Sequence, residues 1–118
     1  MFANRYTAFI DACTLASALR RNLLLTLAEA EFFRVRWSVA VLDETERAVR
    51  RILEAKGYEP ADAQDRATRA RSAMEAAFEE AVVDEYDDLI CACSGLPDPK
   101  DVHVLAAALK TQAATIVT

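Results

Sequence analysis

Histidine, glycine and proline are scarce in this chain. Its 118 residues include one histidine, two glycines and three prolines. So little glycine and proline excludes a loop-rich or disordered chain. Cysteine is limited to Cys13, Cys91 and Cys93. A zinc site needs about four nitrogen or sulfur ligands, and three cysteines scattered around the lone His103 do not supply one. Cys91 and Cys93 are too close along the chain for a relaxed disulfide. All three therefore read as reduced thiols of a cytoplasmic protein. No apolar run approaches the ~20 residues of a membrane helix. The first residues carry one positive charge and meet Asp11 before any long apolar stretch forms, which does not fit a signal peptide. There is no phosphate-binding glycine loop, nucleophile elbow or Rossmann glycine pattern.

Apolar residues make up 53% of the chain, enough for a real core. The length suits one domain spanning residues 1–118. A net charge of −5 argues against a protein that simply coats nucleic acid. It leaves room for an enzyme that handles RNA through a local basic patch.

Residues 6–10 read as a strand stopped by Asp11. Residues 14–30 read as a helix whose stripe is Leu15, Leu19, Leu23, Leu27 and Ala30, widened by Leu24 and Leu25. Residues 34–37 alternate polar and apolar, as a second strand does. Ser38 is then the N-cap of a helix to about Lys56, closed by Gly57. Its expected stripe is Val39, Leu42, Val49, Ile52 and Leu53. Pro60 opens another helix to about residue 77, with Met74, Ala77 and Phe78 toward the core. Residues 81–83 read as a third strand, and residues 84–94 as a short helix or turn ended by Gly95. A helix from Asp98 to about Ala113 and a fourth strand at 115–118 complete the chain. Strands alternating with helices point to an α/β domain with a mainly parallel sheet of about four strands flanked by helices. Ligands of such sheets bind beyond the carboxyl ends of the strands, and Asp11 lies at such an end.

The acids carry the chemistry, and each also has a purely structural reading. Asp11 could simply cap the next helix. Asp98 and Asp101 flank Pro99 as N-cap and N3 residues, a good helix start that also suits the helix dipole. Glu44 lies in a charge run of the kind that is usually a solvated face, and by helical periodicity Glu46 is closer to the apolar stripe. Carboxylates gathered within ~4 Å repel one another unless a cation neutralises them or one takes a proton. Oxygen-only ligands favour Mg²⁺ or Mn²⁺, and with no histidine base such a site suits phosphodiester hydrolysis. Arg47, Arg50, Arg51, Arg66, Arg69 and Arg71 form a basic region on two helices. They could track an RNA backbone, or they could pair with surface acids. His103 reads as a packed or interfacial histidine, and nothing near Cys91 and Cys93 suggests redox work.

Four segments carry a resemblance. They are Phe9 to Cys13, Trp37-Ser38 followed by Val41 to Glu44, the run Leu-Pro-Asp-Pro-Lys-Asp-Val-His-Val-Leu-Ala-Ala-Ala from Leu96 to Ala108, and Thr115 to Thr118. Together they resemble the PIN-domain family of bacterial ribonucleases, the fold of the VapC-type toxins. The third segment is long and specific, whereas the first alone would be weak. The resemblance implies a three-layer α/β domain with an acidic pocket for Mg²⁺ or Mn²⁺ and cleavage of single-stranded RNA. It implies Asp11, Glu44 and Asp101 as catalytic acids and metal ligands, with Asp98 close by as a further ligand. Glu44 is preferred to Glu46 because it lies six residues beyond Ser38, as in the family pattern. A homodimer and an antitoxin protein are the partners it implies, with no membrane association. The family usually continues after the last strand with an Asn-Asp pair or similar. The sequence stops at Thr118, so the C-terminal part of the domain is expected to be missing.

Three readings follow. The first is a metal-dependent endoribonuclease, a toxin of a toxin–antitoxin pair. The second is a catalytically inactive PIN-like module that works through protein–protein association. The third is an α/β domain whose acids are only helix caps.

Overall fold

A computed structural model describes residues 6–83, together with 104, 105, 107, 108 and 115–117. Among the described residues four strands form one sheet: β1 (Thr7–Ile10), β2 (Arg34–Ser38), β3 (Val82–Val83) and β4 (Thr115–Val117). Their order is β3-β2-β1-β4, and every pairing is parallel. This bears out the expected α/β class.

All four residues of β1 are buried. A central parallel strand needs both faces covered, and its unbroken Thr-Ala-Phe-Ile run satisfies that. Between β1 and β2 lie α1 (Ala12–Leu15) and α2 (Ala18–Glu29). Between β2 and β3 lie α3 (Val39–Ala55), α4 (Pro60–Ala77) and a 3₁₀ turn at Glu79–Ala81. Both crossovers move the chain in the same direction across the sheet. Parallel crossovers are right-handed, which puts both on one face, and α1 packs against α3 as this requires. Val104, Leu105, Ala107 and Ala108 are helical, within the helix expected from Asp98 to Ala113. Ala107 and Ala108 join Phe9, Ile10, Trp37, Leu42 and Met74 in the core.

The helix expected over residues 14–30 is two helices. The chain breaks at Ala16 and Ser17, and the Ser17 hydroxyl caps the second helix. The break resets the helical phase, so the expected leucine stripe does not hold. Leu15 is fully buried in α1, whereas Leu19 and Leu23 are 80% and 59% exposed on α2. Leu24, Leu25 and Ala28 face the core instead.

In α3 the buried residues are Val41, Leu42, Thr45 and Val49, while Val39 and Ile52 are exposed. The Thr45 hydroxyl donates to the Val41 carbonyl at 2.8 Å, which lets a polar residue occupy the apolar stripe. On α4 the buried residues are Ala63, Ala67 and Met74. Ala77, expected in the core, is exposed. Small alanines let α4 lie close against α3, and these two helices share the most extensive contact among the described elements.

Two helix ends share one device. Gly57, at φ 100°, follows α3, and Glu31, at φ 66°, follows α2. In each case two N–H groups reach back into the last turn. Those of Gly57 and Tyr58 bond the carbonyls of Glu54 and Leu53, and those of Glu31 and Phe32 bond the carbonyls of Ala28 and Leu27. This is the Schellman pattern. Glycine announced the first in the sequence, and glutamate concealed the second.

Candidate functional site

The chain leaves β1 toward β2 and β3, then returns to β4 on the other side of β1. The strand order therefore reverses between β1 and β4. In open parallel sheets the ligand crevice lies at such a point, beyond the carboxyl ends of the strands. Asp11 is the first residue past β1, and its N–H donates to the Val117 carbonyl of β4 at 2.9 Å. This bond fixes Asp11 at the mouth of the crevice.

Asp11 is also the N-cap of α1, its Oδ1 accepting from the Ala12 N–H at 2.6 Å. The structural reading of Asp11 is thus correct, and it leaves Oδ2 free of any hydrogen bond among the described residues. A four-residue helix has little stability of its own, so α1 is held from both ends. At its far end Arg21 of α2 donates to the carbonyls of Leu15 and Ala16, at 2.8 and 3.5 Å. Burial lowers the Arg21 pKa from its ordinary value. Leu15, fully buried, anchors the helix to the core. Asp11 is therefore placed by a sheet bond, a cap and a buried anchor.

The second acid comes from α3. Ser38 ends β2, and its buried Oγ accepts from the Val41 N–H at 3.1 Å, so α3 starts directly from the strand end. A helix turns about 100° per residue. With Val41, Leu42, Thr45 and Val49 facing the core, Asp43 and Glu46 lie on one flank and Glu44 on the other. The flank with Asp43 and Glu46 faces α4. Glu46 accepts from Gln64 at 2.8 Å and from Thr68 at 3.1 Å. Arg71 bonds Asp43 at 2.5 Å, Glu46 at 3.3 Å and Glu75 at 3.2 Å. Burial opposes the Arg71 charge, but Asp43, followed by Glu46 and Glu75, outweighs it and raises the Arg71 pKa above its ordinary value.

Periodicity is thus right that Glu46 turns inward, but its carboxylate is spent on α4. Glu44 is half-buried and has no ion pair or hydrogen-bond partner among the described residues. It lies on the flank away from α4, on the same helix that receives α1 and its cap Asp11.

Asp98, Asp101, His103, Cys91 and Cys93 lie outside the described residues. Among the described residues no three acidic, cysteine or histidine side chains converge as a metal cage. Cys13 is a free, exposed thiol.

Most of the basic region is paired within the chain. Arg50 meets Glu54, Arg66 meets Asp62, Arg69 meets Asp65, and Arg71 meets three acids. Arg66 also stacks on Tyr58, 4.7 Å from the ring centre. Four of the six arginines are therefore occupied. Arg47 and Arg51 are exposed and have no acidic partner among the described residues. The role of Arg71 between α3 and α4 was missed in the sequence. The available signal was the i, i+3 pair Asp43 and Glu46 opposite the polar middle of α4.

A match to the PIN domain covers residues 7–118. No curated protein and no solved structure matches the chain. PIN domains are generally nucleases and generally depend on divalent metal. No helix among the described residues is long and apolar enough to cross a membrane. With almost the whole sequence accounted for by that match, the chain belongs to the PIN-domain family.

Proposed function

We propose that this chain is a metal-dependent endoribonuclease that hydrolyses phosphodiester bonds of single-stranded RNA. The observation that carries the reading is the position of Asp11. It is a half-buried carboxylate, fixed at the point where the strand order reverses, with one oxygen uncommitted among the described residues. Glu44 on the neighbouring helix, without a partner among the described residues, supports it. The donor set fits Mg²⁺ or Mn²⁺, since both side chains offer only carboxylate oxygen. Asp11 and Glu44 would hold the cation with Asp98 and Asp101. When bound, such a cation activates a water and neutralises charge developing on the phosphodiester.

The chain's own residues have separable tasks. Asp11 presents its free oxygen from a backbone fixed on two sides. Glu44 supplies a second carboxylate that no cation among the described residues has claimed. Arg47 and Arg51 are the exposed cations of the basic region that remain for the RNA backbone. A toxin role with a cognate antitoxin, a homodimeric state and a cytoplasmic location complete the reading. The family resemblance supports the first two, and the free Cys13 thiol supports a reducing compartment.

The test is cleavage of a labelled single-stranded RNA with Mn²⁺, and again with excess EDTA. Asp11→Asn, Glu44→Gln and Asp101→Asn should each abolish cleavage while leaving the fold intact by circular dichroism, and EDTA should stop the wild-type reaction. Full activity in Asp11→Asn would sink the reading.

A further inference from the structure

Three acids of α3, Asp43, Glu44 and Glu46, fall within four residues, and any of them could serve a cation. Arg71 separates them. Its guanidinium lies 2.5 Å from Asp43, 3.3 Å from Glu46 and 3.2 Å from Glu75. The chain's own cation thus fills the centre of a carboxylate cluster. Its side chain is 21% exposed and that of Glu46 23%, so this pair is partly shielded from solvent on both sides, whereas Asp43 and Glu75 are 45% and 47% exposed. Gln64 and Thr68 take further lone pairs of Glu46. Glu44, between the two clamped residues, is on the opposite flank.

We infer that Arg71 is a positioning residue for the metal-dependent reaction: by clamping Asp43 and Glu46 to α4, it leaves Glu44 as the acid this segment offers to the cation. The inference rests on the nuclease reading above. One physical consequence follows. The clamp fixes the rotation of α3 about its axis, and hence the direction in which Glu44 leaves the helix.

The experiment is titration of the full chain with Mn²⁺, counting bound ions by the loss of the free Mn²⁺ paramagnetic signal. Wild type, Arg71→Gln, Arg71→Lys, Glu44→Gln and the double variant Asp43→Asn/Glu46→Gln are compared. Arg71→Gln should bind Mn²⁺ several-fold more weakly, because Glu44 is no longer held in place. Arg71→Lys, which keeps a cation in the clamp, should bind as wild type does. The double variant, which breaks the same clamp from the α3 side and does not depend on Arg71→Gln folding, should weaken Mn²⁺ binding likewise, and Glu44→Gln should lose it. A folded Arg71→Gln with unchanged Mn²⁺ affinity overturns the inference, as does a double variant that binds Mn²⁺ as wild type does. Failure of the nuclease reading looks different: wild type itself then binds no Mn²⁺ and cleaves no RNA.

Discussion

Ser38 and Ser17 do the same job in different surroundings. The Ser38 hydroxyl is fully buried and bonds the Val41 N–H at 3.1 Å, whereas the exposed Ser17 hydroxyl reaches the Arg20 N–H at 3.5 Å. Burial leaves the Val41 N–H no water to replace a lost cap. Ser38→Ala should therefore lower stability by about 1–2 kcal/mol, and Ser17→Ala by roughly 0.5 kcal/mol or less, in denaturant melts. Equal losses would mean that burial does not set the strength of the cap. Trp37 shows another residue-scale tension. It is fully buried and meets Phe78 edge-on at 6.0 Å, yet its indole N–H has no acceptor among the described residues. The apolar bulk of the ring and its contacts outweigh the cost of the unpaired donor.

At the scale of elements, helix ends decide where the site residues fall. The strongly amphipathic α3 begins at a strand end and stops at Gly57, so its second turn always carries Glu44. Gly57 sits at φ 100°, and a Cβ there would meet nothing within 4 Å. Any cost of Gly57→Ala is therefore backbone conformation alone. Chemical denaturation should show a loss of about 1–2 kcal/mol, and no loss would show that the end of α3 relaxes freely. The α1–α2 break is equally local in origin. Ser17 offers a cap in mid-run, and Arg21 takes the carbonyls that the break leaves open.

Across the whole molecule, the core is not the set of residues that helical spacing selects. Leu15 is fully buried beneath α1, whereas Leu19, one turn later in the expected stripe, is 80% exposed. Leu15→Ala should cost about 2–5 kcal/mol, and Leu19→Ala less than about 0.5 kcal/mol. Thermal melts that ranked them the other way would contradict the packing of α1 and α2. Strand order is the other property that exists only at this scale. It makes β1 central and turns a short acidic stop into the edge of a ligand crevice.

Much of the architecture was legible in the residues. The α/β class, the strand at β1, the Ser38 cap, the Gly57 stop and the position of β4 follow from local chemistry, because caps, glycines and apolar runs act within a few residues of themselves. Asp11 was legible as a strand-ending acid for the same reason. The order β3-β2-β1-β4 was not, since parallel partners are far apart in sequence and nothing local encodes which strand lies beside which. Nor was the absolute rotation of a helix. Periodicity fixes the angles between Asp43, Glu44 and Glu46, but a neighbouring helix fixes which of them points where. The Glu46 carboxylate went to Arg71, Gln64 and Thr68 because α4 packs on that flank. The sequence alone determined that acids would stand at a strand end and along α3. Tertiary contact decided which of them remained uncommitted, because an ion pair between residues 43 and 71 exists only once two helices have docked.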